Sequence, residues 1–189
     1  MISALLALAA VQETYAPDNE GFIRNWLVLA PIPCDSDNNG ATEIDAQQVK
    51  DEAKLAPKAG DKAKDLAWKE HKTADCFIDF LAGFGKDRGE NVVGYAVAYV
   101  HADADMDGLQ LRVGSNDQCK AYLNGTQVLR FDETRTLEKD QNAANVTLKK
   151  GQNVVILKVI NENNNWQGCI KLLGQDNKPL TDVKVKTAP

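Results

Sequence analysis

Six residues in the second half of the chain, Arg112, Asn116, Asp117, Lys120, Tyr122 and Trp166, could together hold a polyhydroxylated ligand. Sugar recognition needs an aromatic ring against the apolar face of a pyranose, with amides, acids or a guanidinium set to fork onto its hydroxyls. Trp166 follows Asn163-Asn164-Asn165 at a loop-to-strand junction. Tyr122 alternates with Ala121 and Leu123, which turns its ring to the opposite face. The expected site is a surface patch of these aromatic and polar groups. Its competitor is the core, where tryptophan in a β-sandwich usually sits; Trp26, inside Phe22 to Ala30, is assigned there.

A metal-like pattern lies earlier. Asp35-Ser36-Asp37-Asn38-Asn39-Gly40 copies the opening of a calcium loop, in which Asp35, Asp37 and Asn39 would wrap a hard cation and Gly40 would permit the sharp turn. The twelfth position is Ala46 rather than a bidentate carboxylate, so a solvated Asx-rich turn after Pro33 competes with calcium as its purpose. Asp103-Ala104-Asp105-Met106-Asp107-Gly108 has the same spacing and reads as a polar connection between two strands.

The catalytic inventory is short. Asp79, Asp87, Glu90, Asp117, Asp132 and Glu133 could supply a carboxylate pair only if a cleft held two of them at a defined separation. Neither His71 nor His101 adjoins a nucleophile turn of the Gly-x-Ser-x-Gly kind. The chain is expected to be non-catalytic. Cys34, Cys76, Cys119 and Cys169 form an even set without the C-x₂-C spacing of zinc sites. Three disulfide pairings are open; the positions favour Cys34 with Cys76 and Cys119 with Cys169, and free buried thiols are the alternative.

The elements that must position these groups are strands. Leu109 to Val113 places an apolar residue at every second position, as a strand with one buried face requires. Cys119, Ala121 and Leu123 continue the alternation. Asn124-Gly125 then supplies the two positive-φ residues of a type I′ hairpin before Gln127 to Phe131 returns antiparallel. Further strands are expected at Gly21–Ala30, stopped by Pro31-Ile32-Pro33, and at Cys76–Phe80, Val92–His101, Asn145–Leu148, Asn153–Ile160 and Trp166–Leu173. Asp182–Lys186 would be a terminal edge. In Val92–His101 both faces look covered. Residues 34 to 75 differ in texture, with isolated apolar points at Ile44, Val49, Leu55, Leu66 and Trp68, and read as an irregular excursion with one helical turn around Asp45 to Ala53. Many short strands with turns between them indicate an all-β, antiparallel two-sheet sandwich with an irregular N-terminal third.

A length of 189 residues suits one domain, here 13–189. The net charge of −5 argues against nucleic acid, whose recognition begins with a basic face. The run Ile2 to Val11 is shorter than the ~20 residues of a membrane span; it reads as an export signal with an abbreviated start or as a retained anchor. A short buried helix of the domain is the further alternative.

Taken together, these residues resemble the galactose-binding-like jelly rolls found as accessory domains beside bacterial glycoside hydrolases and in large envelope proteins. The resemblance covers most of the chain. It rests on Phe22 to Pro33, Trp68-Lys69, Tyr95 to Val100, Gly114-Ser115-Asn116-Asp117, Ala121 to Gly125 and Leu148 to Asn153 with Leu157-Lys158-Val159. The family often carries two acidic residues where this chain has Asn116-Asp117. The resemblance implies a jelly-roll sandwich and a non-catalytic carbohydrate-binding module; with the apolar run read as an export signal, its place would be the periplasm or outside the cell. Its alternative is a structural accessory subunit of an envelope or membrane complex, docked through the N-terminal apolar segment and a sandwich face.

The alternation places Leu111, Val113, Ala121, Leu123, Val155, Leu157 and Val159 in the core. Leu123→Ala is expected to cost ~2–5 kcal/mol in chemical denaturation; an unmoved midpoint would mean the register is reversed.

Overall fold

The computed structural model describes residues 13–35, 40–85 and 89–189. The segment 1–12, read above as an export signal or anchor, lies outside the described residues, as do Asp37, Asn39 and Asp87. The described strands are β1 (Asn25–Pro33), β2 (Lys62–Ala63), β3 (Leu66–Ala67), β4 (Lys69–Lys72), β5 (Ile78–Asp79), β6 (Val92–Ala102), β7 (Met106–Asn116), β8 (Cys119–Leu123), β9 (Thr126–Phe131), β10 (Asn142–Leu148), β11 (Gly151–Asn161), β12 (Gln167–Leu173) and β13 (Lys184–Lys186). Two short helices, α1 (Gly40–Glu43) and α2 (Phe80–Phe84), accompany them.

The strands form an all-β sandwich. One sheet runs β4-β1-β6-β11-β8-β9, with β13 also paired to β6, and the other runs β10-β7-β12-β5. Every pairing is antiparallel. The Asn124-Gly125 turn joins β8 to β9 with both residues at positive φ, 51° and 84°, as the sequence pattern requires. Its geometry is held from the side. Val154 N–H donates to Asn124 Oδ1, and Asn124 Nδ2 donates to Asn153 Oδ1.

Between the sheets, Ala96, Ala98 and Val100 of β6, Val155, Leu157 and Val159 of β11 and Ala121 and Leu123 of β8 meet Leu109, Leu111 and Val113 of β7 and Ile170 and Leu172 of β12. All seven core residues expected from the alternation are buried. The opposite face of the large sheet is apolar too, because Val93, Tyr95, Val97 and Tyr99 alternate with the inner set. The excursion through residues 40–68 covers it with Ile44, Val49 and Trp68, so a second core forms outside the sandwich.

Several boundaries differ from the sequence reading. Strand β1 continues through Pro31 rather than stopping before it; its ladder with β6 shifts register between Leu29 and Ile32, where a residue without an N–H is tolerated. The expected strand at Cys76–Phe80 shrinks to β5 and gives way to α2, because Asp79 Oδ1 accepts from Ala82 N–H and caps the helix. The turn expected at Asp45–Ala53 splits into α1 before it and a 3₁₀ turn at Glu52–Lys54. Strand β13 is not a free edge: it pairs β6 over Tyr99–His101, and Val185 is bridged on its other side by Tyr15.

The second core has a polar centre. Lys158, fully buried on the outer face of β11, donates from Nζ to Glu52 Oε2 at 3.1 Å and to the carbonyls of Ile44 at 3.0 Å and Ala46 at 2.6 Å. The Glu52 carboxylate also accepts from the Tyr95 hydroxyl at 2.6 Å and the Tyr122 hydroxyl at 2.5 Å. Burial pushes the Lys158 ammonium down from its ordinary pKa, and Glu52 pushes it back up. Glu52→Ala strands that charge and two hydroxyls, and is expected to cost about 3–5 kcal/mol in urea denaturation. Lys158→Met combined with Glu52→Leu should cost less than the sum of the single changes. A loss well under 1 kcal/mol for Glu52→Ala would mean that water reaches the ammonium.

Candidate functional site

At one end of the sandwich the connections β7–β8, β9–β10 and β11–β12 converge around a hollow of about 510 Å³. Asn116, Asp117, Thr134, Arg135, Thr136 and Asn163 to Asn165 line it. Its floor is buried and its rim is not: Asn116 and Asp117 are 7% and 3% exposed, whereas Thr134, Thr136 and the three asparagines lie open to solvent.

The floor is built by hydrogen bonds between the three connections. Asp117 Oδ1 accepts from Arg135 N–H and Oδ2 from Glu162 N–H, both at 3.2 Å. One carboxylate therefore fastens the β9–β10 connection to the end of β11. Asp117 N–H donates to Ile160 O at 2.9 Å, and the Asn116–Asp117 peptide is cis. Burial raises the Asp117 carboxyl above the ordinary carboxylate value, against the two N–H donors, which lower it. The Arg135 guanidinium lies 3.7 Å over the Phe131 ring and donates to Ser115 Oγ at 2.7 Å and Asn142 Oδ1 at 2.6 Å. This side chain ties β7, β9 and β10 together. Asn116 Oδ1, by contrast, is buried without a hydrogen-bond partner.

Of the six residues expected to form a site, two line this hollow. Arg112 alternates with Leu111 and Val113 and points from the outer face of the small sheet; it donates to Gln110 Oε1 and borders a different hollow with Lys171 and Asp140. Lys120 is buried on the outer face of the large sheet, where its ammonium meets Asp45 Oδ1 at 2.7 Å. Tyr122 does point away from Ala121 and Leu123, as expected, but the excursion covers that face and Glu52 takes its hydroxyl. Trp166 is fully buried: it stacks on Phe80 at 5.0 Å between ring centroids and donates its indole N–H to Val159 O. The exposed aromatic patch is therefore corrected to an amide and hydroxyl hollow.

The lining residues outside those six are Thr134, Arg135, Thr136 and Asn163 to Asn165. The signal for the first three is a polar run after Phe131, and the asparagines stand in the sequence as the loop before Trp166. Asp35 is exposed, and no grouping of histidine, cysteine or acidic side chains among the described residues is placed to hold a metal ion. Asp105 and Asp107 of the second calcium-like run, in the β6–β7 connection and the start of β7, accept instead from Lys149, the Lys150 N–H and Thr147. All four cysteines are free, and the small sheet separates Cys119, on β8 in the inter-sheet core, from Cys169, on its outer face. The favoured Cys119–Cys169 pairing is thereby overturned.

No protein-family model matches the sequence, and no curated protein matches it. Among solved structures the chain is similar to the PA14 domain of the MpAFP antifreeze protein, at 16% identity and a TM-score of 0.40 over 51% of this chain and 53% of that one. A PA14 sugar-binding domain from an RTX adhesin gives 15% and 0.40 over 51% and 54%. A β-glucuronidase from Ruminococcus gnavus in complex with an N1-substituted uronic isofagomine gives 13% and 0.45 over 90% of this chain and 31% of that one. The matches thus span about half the length of the two PA14 chains and under a third of the glucuronidase. Overlaps this loose carry no residue of the hollow across.

The burial of Trp166 makes it a core residue. Even a methyl group added at Gly94 would come within 2.7 Å of its ring. Trp166→Ala is expected to cost about 3–5 kcal/mol of stability, read from the denaturation midpoint; a full-stability variant would mean that the ring reaches solvent.

Proposed function

We propose that the chain is an exported, non-catalytic carbohydrate-binding module whose site is the Asn116–Asn165 hollow. The observation that carries this reading is the buried, unpartnered Asn116 Oδ1 beneath a rim of amides and hydroxyls. An unpaired buried acceptor is costly, and a ligand hydroxyl that donated to it would recover much of that cost. The rim groups both donate and accept, which matches the dual character of sugar hydroxyls. The volume suits one or two sugar rings, within the ~300–1,000 Å³ common for ligand sites. No aromatic side chain lines the hollow, so recognition is by hydrogen bonding rather than by stacking.

The non-catalytic reading is supported by Asp117 being the single carboxylate among the lining residues, with both oxygens engaged by backbone N–H groups. Paired-acid hydrolysis needs a second carboxyl free to exchange a proton. Export rests on the apolar run Ile2 to Val11, and intact mass of the protein from its own cells tests whether that run is removed.

Glycan-array screening followed by calorimetry should find a glycan ligand. Thr134→Ala and Asn163→Ala, both at exposed positions, should each weaken it by roughly 3–10-fold, the worth of one hydrogen bond. Binding that survives Thr134→Ala/Asn163→Ala/Asn164→Ala unchanged would remove the hollow from consideration. Turnover of a glycoside, lost in Asp117→Asn, would overturn the non-catalytic reading.

A further inference from the structure

Outside the sandwich, on the outer face of the small sheet, Phe22, Cys76 and Cys169 form a small apolar cluster, with Phe77 and Leu137 packed against it. Both cysteines are buried, at 6% and 2% exposure, and neither takes part in the hollow or the second core. The two thiols share that one cluster, and the Cys76 sulfur lies close enough to act electrostatically on the Cys169 thiol. Shared burial against Phe22 turns both side chains to one side.

The remaining thiols are excluded as partners by the same geometry. Cys119 lies in the inter-sheet core beside Arg135, and Cys34 packs against the second core on the far face of the large sheet. We propose that Cys76 and Cys169 join in a disulfide that fastens the segment before α2 to β12, leaving Cys34 and Cys119 reduced. With glutathione disulfide as oxidant, the Cys76 thiolate attacks one sulfur of the oxidant and releases one glutathione thiolate. The Cys169 thiolate then attacks the Cys76 sulfur and releases the second. The two protons lost by the cysteines end on the two glutathiones, and the two electrons have passed to the oxidant.

The order follows from the surroundings. Burial raises both thiols above the ordinary cysteine value, Cys169 to about 12, while Lys139 offsets part of the rise at Cys76. The bond would therefore form slowly once the domain has folded and faster during folding, when both thiols reach solvent.

The test is peptide mapping of the full-length protein, alkylated without reduction, after refolding in a glutathione redox buffer. The expected result is one cross-linked peptide pair containing residues 76 and 169, with two thiols still free. The same pair should persist in Cys34→Ser/Cys119→Ser and vanish in Cys76→Ser. Reduction should lower the melting temperature of the wild type and of Cys34→Ser/Cys119→Ser by about 5 °C or more, and leave Cys76→Ser unmoved. Four free thiols after refolding, or a cross-link through Cys34 or Cys119, would overturn the proposal.

Discussion

Lys158 carries its ammonium group into a place that water does not reach, and the arrangement laid over the large sheet depends on how that charge is met. The sheet is apolar on both faces, so its outer face cannot be left to solvent. An excursion of otherwise polar sequence is drawn across it. Apolar burial by Ile44, Val49 and Trp68 supplies attraction without direction. Direction comes from the ammonium, which binds carbonyls on both sides of the bend at Ile44–Ala46 and a carboxylate from the 3₁₀ turn at Glu52. Tyr95 and Tyr122, from β6 and β8, converge on the same carboxylate. One ion pair thereby fixes the excursion against three strands at once. Specificity of position, more than added stability, is what such a buried network confers.

The fold was legible where periodicity and turn chemistry carry the information. Alternation through β7, β8 and β11 identified the inner core residue by residue, and Asn124-Gly125 marked its hairpin. Tyr122 shows where this kind of reading stops. The alternation assigned its face correctly, yet whether that face meets water depends on residues some 70 positions earlier, with no period linking them to β8. Lys120 was lost for the same reason, since Asp45 supplies its counter-charge from the excursion. Trp166 failed differently. A loop-to-strand junction is a place where a ring can turn either way, and Gly94 on the facing strand leaves the space that draws it inward.

The hollow shows the complementary case. Asn116 and Asp117 were singled out from a short turn, but the groups completing their surroundings come from two other connections, whose lengths and paths are not periodic. Arg135 is an example of how such paths become defined. Its guanidinium bonds to Ser115 and Asn142 and lies on Phe131, so a ten-residue connection between β9 and β10 is anchored near its start. With Asp117 holding the backbone on one side and Arg135 bracing the other, the rim stands on a rigid base. Preorganisation of this kind lowers the entropy lost when a ligand is engaged.

The placement of β6 has a consequence for the order of events in folding. Its neighbours come from three remote stretches of chain: β1 from well before it, β11 some fifty residues after it, and β13 from residues 184–186, which lie beside the same edge as β1. None is reached by a short hairpin. Each contact must close a long loop before burial rewards it, which makes such topologies slow. During synthesis the central strand remains only partly flanked until residues 184–186 have left the ribosome. The β8–β9 hairpin can form early, but the layer around β6 is completed only by β13, and Tyr15 can bridge Val185 only once that strand is present. Tyr15 and Val185 are thus brought together as one of the closing steps of assembly.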